Sequence, residues 1–343
     1  MVDQIGLDME KLSEGYRLEE PEAYRLMDAI MGGAVSPVKL AGILMALRVR
    51  GETIDELTGF AKAMRSHAVQ IPVTRRPVLD TCGTGGDRSF SFNVSTVSAL
   101  VVAGAGVAVA KHGNRSATSK SGSADLLEAL GVPITQDPVT VAHSIDELGF
   151  GFLFAQQVHT SMRHAAETRR ELGVRTVFNV LGPLTNPVNP ERQLLGVFSP
   201  QWVQPMTEVL ARLGTDHALV VHGAGGLDEV SLSGPTQYGA VDRGVVRYGE
   251  MVPEDLGLPR YPKEAMVGGD PSVNAKICLG VLGGMSSPYL DMVLANAGVA
   301  LFVARATTNL SDGVAMAREA IKSGRAESVL RRLIAEPARV EEA

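Results

Sequence analysis

Cysteine is nearly absent. Cys82 and Cys278 are the two cysteines in a chain of 343 residues, and they lie far apart. That excludes a disulfide framework and a cysteine-held zinc site, and it fits a reducing cytoplasm. Long hydrophobic runs are missing too. The longest, Val97 to Ala110, is rich in small residues and well short of the roughly 20 needed to cross a bilayer. The amino-terminal MVDQIGLDMEKLSEGYRLEE has no basic stretch followed by an apolar one, so no signal peptide is expected. Nor is there an excess of positive charge. Lys plus Arg is 32 against 38 for Asp plus Glu, a net charge of −6. Such a chain has no global attraction for nucleic acid or for an anionic membrane, and neither is expected as a partner. Aromatic residues make up only 5%, whereas glycine numbers 37. Together these point to many tight loops and closely packed α/β crossovers. What is plentiful is apolar content: 45% is enough to bury a substantial core.

The length suits two domains. From Asp8 to about Ala68 the apolar spacing is helical throughout, with Pro21-Glu22 and Ser36-Pro37 as helix starts and Gly32-Gly33 as a stop. Residues 1–72 therefore read as a small all-helical domain, and Pro72 to Pro77 as a hinge. In 73–343 short buried-strand patterns alternate with helical ones. Strands are expected at Val78–Asp80, Val107–Ala110, Phe150–Phe154, Leu194–Phe198 and Ala218–Val221, which predicts an α/β domain with a mostly parallel central sheet flanked by helices. Met162 to Leu172 is a charged helix expected to leave the sheet and pack elsewhere. Thr236 to Met251 reads as antiparallel strands, and Ser272 to Leu333 as helices.

Four clusters carry chemistry. Gly83-Thr84-Gly85-Gly86-Asp87 follows a strand and precedes a helix, with Asn93, Ser95 and Thr96 behind it. Glycines expose backbone N–H groups and the helix adds its positive end, so phosphate is the expected guest; a tight turn capped by Ser95 is the competing reading. Lys111-His112-Gly113-Asn114-Arg115 gathers two cations, an imidazole and an amide around one glycine, where ligands of open α/β sheets bind, and Ser119 to Ser123 opens the next helix with hydroxyls. His112 reads as a ligand contact more than as a general base. Asp228-Glu229, on a loop after a strand, suits Mg²⁺ shared with substrate phosphates, although paired loop acids are commonly just solvated. Arg163, Arg169, Arg170 and Arg175, with His164 among them, offer guanidinium forks for a carboxylate, of which one is expected to be functional and the others solvated. Two phosphate cradles, a metal pair and a carboxylate holder suggest transfer from a polyphosphorylated donor to a carboxylate-bearing acceptor.

The stretches DTCGTGGDRSFSFNVST, VAKHGNRSATSKSGSADLLEALGV, RRELGVRTVFNVLGPLTNP and GLDEVSLSG closely match, in order and spacing, the motifs of anthranilate phosphoribosyltransferases. The chain resembles that family over nearly its whole length. The resemblance implies an α/β domain of the class II nucleoside-phosphorylase type, hinged to a helical domain that is joined by helices from about 160–190. It implies a homodimer formed through the helical domains. The implied reaction joins anthranilate to 5-phosphoribosyl 1-diphosphate (PRPP), a step of tryptophan biosynthesis. Carried over, Gly83, Gly86, Asp87, Ser91, Asn93, Ser95, Thr96, Lys111 and Ser123 would hold PRPP. Ser95, Asp228 and Glu229 would take Mg²⁺. Gly83, Asn114, Arg169, His112 and His159 would meet anthranilate, with Arg169 on its carboxylate and Arg115 beside the pocket; Arg169 and Lys111 would position the reactants, with no general base assigned. Three departures stand out: Arg88 where the family often has Gly, Thr118 for a common Ser, and Ser91 for a common Thr. Two other outcomes stay open: a nucleoside phosphorylase transferring pentose to thymine or phosphate, and a non-catalytic nucleic-acid-binding relative.

Overall fold

The computed structural model describes residues 4–86, 91–116 and 120–335. Four helices come first: α1 (Gln4–Ser13), α2 (Glu20–Met31), α3 (Pro37–Arg50) and α4 (Ile54–Ser66). Their starts follow local chemistry. Ser36 accepts from the Lys39 N–H at 3.4 Å, and Thr53 and Glu56 satisfy each other's backbone N–H groups at 3.2 and 2.9 Å. Leu26, Ile30, Leu40, Ile43, Leu44, Leu57 and Phe60 are all buried between these helices.

Next come β1 (Val78–Gly83), α5 (Val94–Gly104), β2 (Ala108–Gly113), α6 (Ser123–Ala129), α7 (Pro138–His143), a π-helical turn at Ser144–Leu148 and β3 (Phe150–Phe154). Short α8 (Ala155–Val158), α9 (Arg163–Leu172) and α10 (Phe178–Leu181) lead back to the sheet through β4 (Arg192–Gly196), α11 (Val203–Arg212) and β5 (His217–Gly223). β6 (Thr236–Asp242) and β7 (Val245–Met251) close it, and α12 (Pro271–Leu282), α13 (Pro288–Val303), α14 (Leu310–Lys322) and α15 (Arg325–Ala335) follow. No described helix is long and apolar enough to cross a membrane.

The seven strands lie in the order β3-β2-β1-β4-β5-β6-β7. The first five are parallel, and β6 and β7 are antiparallel, as expected. From β1 the chain winds outward to β2 and β3, then returns to place β4 on the other side of β1. That reversal makes a crevice at the carboxyl ends of β1 and β4, the place where open α/β sheets bind ligands. Helix α5 is buried along its whole length, with α13, α14 and α15 packed around it on one face. The opposite side of the sheet, through Leu195, Val197 and Val220, shares a continuous core with α11 and with the amino-terminal helices. Helix α9 does leave the sheet: it packs on α3 and α2, and Ala165 sits in that second core.

Strand β2 runs past the expected end at Ala110. Lys111 and His112 continue the ladder opposite Phe152 and Leu153 of β3, so two polar residues are buried by their neighbours despite their chemistry. Ahead of β3 the helical stretch divides into α7 and the π turn. There Asp146 accepts the backbone N–H groups of Thr74 and Arg75, the latter at 2.8 Å, and the Thr74 hydroxyl at 2.6 Å, pinning the Pro72–Pro77 segment.

Candidate active site

A cavity of about 400 Å³ opens at this crevice, walled by the ends of β1 and β2, Phe198 just beyond β4, the start of α5, the loop after β5 and the α9–α10 region. Gly83, Gly86, Asn93, Ser95, Thr96, Lys111, His112, Asn114, Arg115, Ser123, Arg169, Asp228 and Glu229 all line it. Four sequence segments spread over nearly 150 residues therefore face one space.

The glycine loop is built around a carboxylate. Gly83 and Gly196 stand opposite each other in register on β1 and β4. The backbone and side chain of Asp228 lie directly over them: a Cβ on Gly83 would sit 2.9 Å from Asp228 Cγ, and one on Gly196 would collide with the Asp228 backbone carbonyl. Asp228 Oδ2 then accepts the Gly85 N–H at 2.7 Å, and Gly85 holds a positive φ of 67° that favours glycine. The Asp228 carboxylate is thus fixed against the loop, not solvated at random.

Lys111 is 1% exposed. Its ammonium donates to the Thr81 carbonyl at 2.6 Å and to Ser95 Oγ at 3.3 Å, which aims it along the floor of the cavity. Burial pulls its pKa down, opposed chiefly by the nearby charge of Asp80. Asp80 is fully buried beneath it and accepts from the His112 N–H at 3.2 Å and Asn186 Nδ2 at 3.0 Å. Its own pKa is raised, because desolvation outweighs Lys111 and these hydrogen bonds.

Thr96 Oγ1 is buried at the cavity wall with no hydrogen-bond partner among the described residues, an unmet demand of the kind a ligand satisfies. Asn93 lines the cavity but is also held from behind. It donates to the Ser121 carbonyl at 3.0 Å and accepts from Ser121 Oγ and from Asn274 Nδ2 at 2.9 Å, so it fastens the two loops together. Ser95 lies inside the first turn of α5, whose cap is Asn93; the competing reading of Ser95 as a cap does not hold. Ser123 Oγ donates to the Asn114 carbonyl at 3.2 Å. Arg115 is drawn to α6 by Asp125 at 3.0 Å and Glu128 at 2.8 Å, with its guanidinium over the Phe154 ring, so its charge is already matched.

Among the arginines, helix phase decides. Arg163, His164 and Arg170 are exposed, whereas Arg169 turns inward over the Phe178 ring at 5.0 Å, with no acidic partner among the described residues. Burial lowers its pKa. A desolvated, unmatched guanidinium at a cavity wall is well suited to a carboxylate.

Two expected residues are not on that wall. Ser91 lies outside it, bridging to Val267. His159 stands behind His112, rings edge to face at 5.0 Å, with Nε2 at 3.5 Å from Thr185 Oγ1. Burial pushes His159 down to about 4 and His112 well below the usual imidazole value, so both rings are neutral. Asp87, Arg88 and Thr118 lie outside the described residues. Arg175, one of the candidate carboxylate holders, lines the wall too, and Phe178, Asn179 and Phe198 join it without having been singled out. Only their place just beyond the arginine-rich helix could have marked Phe178 and Asn179.

Among the described residues no group of three or more His, Cys, Asp or Glu side chains gathers as a metal cage. The donor set of Asp228, Glu229 and Ser95 fits Mg²⁺ all the same, because that ion takes one or two carboxylates and leaves its other positions to water and phosphate.

Known proteins fit this geometry. Residues 75–327 match the model of the α/β domain of a glycosyl transferase family, and residues 9–68 match that family's helical bundle domain. The anthranilate phosphoribosyltransferase of Symbiobacterium thermophilum is 50% identical over 325 residues, covering 95% of each chain. A solved anthranilate phosphoribosyltransferase from Thermus thermophilus superposes with a TM-score of 0.91 at 51% identity, over 95% of this chain and 98% of that one. The Saccharomyces cerevisiae enzyme, solved in complex with PRPP and Mg, gives 0.88 at 29% identity over 97% and 98%. With such identity sustained along both chains, this protein belongs to the anthranilate phosphoribosyltransferase family.

Proposed function

We propose that the protein transfers the 5-phosphoribosyl group of PRPP to the amine of anthranilate, giving N-(5-phosphoribosyl)anthranilate and pyrophosphate, in tryptophan biosynthesis in the cytoplasm. The observation that carries the reading is one cavity holding a glycine loop, a buried lysine, an acidic pair and an unmatched Arg169. The Gly83–Gly86 loop, the start of α5 with Ser95 and Thr96, Lys111 and Ser123 take the donor. Arg169 and Asn114 take the acceptor, with His112 as a neutral wall and His159 behind it. Relatives support both sides: the yeast enzyme is solved with PRPP and Mg, and also with 4-fluoroanthranilate.

In the reaction a bond forms from the amine nitrogen to ribose C1 as the C1–oxygen bond to diphosphate breaks. Negative charge gathers on the leaving diphosphate. Lys111, already desolvated and aimed by two hydrogen bonds, stabilises that charge without having to reorganise. Mg²⁺ held by Asp228, Glu229 and Ser95 would supply further neutralisation of the same group. Arg169 orients the acceptor through its carboxylate, which turns a bimolecular encounter into a positioned one. The aromatic amine is neutral at pH 7, so its proton leaves after attack and no strong base is required. The cavity walls exclude water, the competing nucleophile.

We assign residues 1–72 to a helical domain and 73–343 to the transferase domain, and a homodimer through the former. Exposed Val38 and Val49 on α3, Leu7 on α1 and Tyr16 beyond its end leave apolar surface there for a second copy. The test is the fluorescence of anthranilate mixed with protein, PRPP and Mg²⁺, with EDTA as control. Signal loss that requires both PRPP and metal supports the reading. A flat trace, with turnover on thymine or a salt-sensitive shift of DNA, overturns it in favour of a phosphorylase or a nucleic-acid binder.

A further inference from the structure

Arg175, which the reaction as described leaves idle, sits at the junction of three parts of the molecule. Its guanidinium lies 4.3 Å over the ring of Phe198, just beyond β4, and Nη2 donates to the carbonyl of Gly86. Its own backbone carbonyl accepts from the guanidinium of Arg48 on α3. No acidic side chain pairs with it among the described residues, and it lines the cavity.

The approach to Gly86 is close by design of the sequence. Gly86 holds a φ of +73°, and a Cβ there would stand 2.7 Å from Arg175 Nη2. Each residue of the loop is tied separately: the Thr84 N–H to the Gly196 carbonyl at 2.9 Å, Thr84 Oγ1 to the Phe198 N–H at 3.1 Å, Gly85 to Asp228, and Gly86 to Arg175. Three of these ties serve the sheet and the acidic pair. The fourth links the loop, through the Arg175 backbone, to the amino-terminal helices. It does so with a cation whose charge is spent on no acid among the described residues. A carbonyl oxygen facing bound phosphate repels it, and the guanidinium both engages that oxygen and raises the positive potential of the donor end of the cavity.

We propose that Arg175 is a positioning residue for the diphosphate of the donor. It acts by holding the Gly86 carbonyl, and α3 holds Arg175 in turn through Arg48. The inference rests on the donor assignment above. Its effect falls on the donor side alone, because Arg169, not Arg175, is the guanidinium left for the acceptor carboxylate.

The experiment uses the full chain with Mg²⁺ and titrates inorganic pyrophosphate calorimetrically, alongside KM values for PRPP and anthranilate. Arg175→Ala is expected to weaken pyrophosphate binding and raise the PRPP KM about tenfold or more, the usual scale for a charge-assisted contact, with the anthranilate KM within about twofold. Arg175→Lys keeps charge and donor but not the flat stacking surface, and is expected to recover part of the loss. Arg48→Ala, an exposed change that leaves the core intact, is expected to move the PRPP KM the same way by about two- to threefold. Unchanged pyrophosphate affinity in Arg175→Ala overturns the proposal. So does a parallel rise in both KM values with a fallen melting temperature, which marks a merely structural residue. A wild-type chain that binds pyrophosphate yet does not consume anthranilate sinks the preceding functional reading, while the pyrophosphate comparison still decides this one.

Discussion

Lowering the pH should destabilise this protein through His159. In the folded state its imidazole is pushed down from the usual 6.5 to about 4, by burial, against a weaker opposing contact with Thr185. The unfolded chain therefore takes up a proton near pH 6.5 that the folded chain refuses until about pH 4. The stability tied to this group is complete above pH 6.5 and is lost as the pH falls towards 4. The gap spans about two and a half pH units at about 1.4 kcal/mol each, so the whole loss is about 3 kcal/mol, and about 2 kcal/mol of it has gone by pH 5. Because the ring is 7% exposed, solvent screens little of this. The assay is urea unfolding at pH 7.5 and pH 5, followed by the fluorescence of Trp202, the single tryptophan. His159→Gln removes the titrating ring. The variant should lose about 2 kcal/mol less than the wild type between the two pH values, whatever its stability at pH 7.5. Equal losses in the two proteins would refute the reasoning, since the acid sensitivity would then have to reside in His112 or elsewhere.

Three further outcomes follow from the geometry. Asp228→Asn combined with Glu229→Gln should cut Mg²⁺-dependent turnover by about a thousandfold, measured as kcat/KM over a metal titration; retained metal dependence would remove the pair from that role. Arg169→Ala should raise the anthranilate KM about ten- to a hundredfold and leave the PRPP KM almost unchanged, as initial rates would show. Asp80→Asn should cost about 1–3 kcal/mol in urea unfolding. Asn186 is locked by donating to Ala110 O at 2.8 Å and accepting from Val188 N at 3.0 Å, so the new amide must face a donor either there or at the His112 N–H. An unaltered unfolding midpoint would refute the role of the Asp80 carboxylate as acceptor for both groups.

The parallel sheet was legible because its strands are short apolar runs between helical patterns, and runs such as Phe150–Phe154 admit few other readings. The extension of β2 through Lys111 and His112 was not. Their burial depends on Asp80, 31 and 32 positions earlier, and on β3, and no local pattern records such pairings. The four chemical clusters were legible one by one, and their chemistry and the family resemblance joined them in one site, but spacing alone did not. Nor could helical spacing alone separate Arg169 from its neighbours, although the family resemblance singles it out. That distinction comes from which face of α9 meets the second core through Ala165 and Thr168. Asn93 lines the cavity as expected, and its amide is also held by Ser121 and by Asn274, 181 residues away, so it braces the loops on which the site is built. Contacts of that range are invisible to spacing.

The slot formed by Gly83 and Gly196 has a consequence for how this gene can vary. Both positions are filled by Asp228 from above, so even a single methyl group at either one must displace the loop that carries the carboxylate. In a saturation library selected for growth without tryptophan, the two glycines should behave as though they were acidic residues. Every substitution at Gly83 or Gly196 should read out as loss of Asp228, and the three positions should form one intolerant unit across the two strands. Gly85, with open space around its Cβ position, should be limited only by its backbone angle and so admit asparagine or aspartate before anything else.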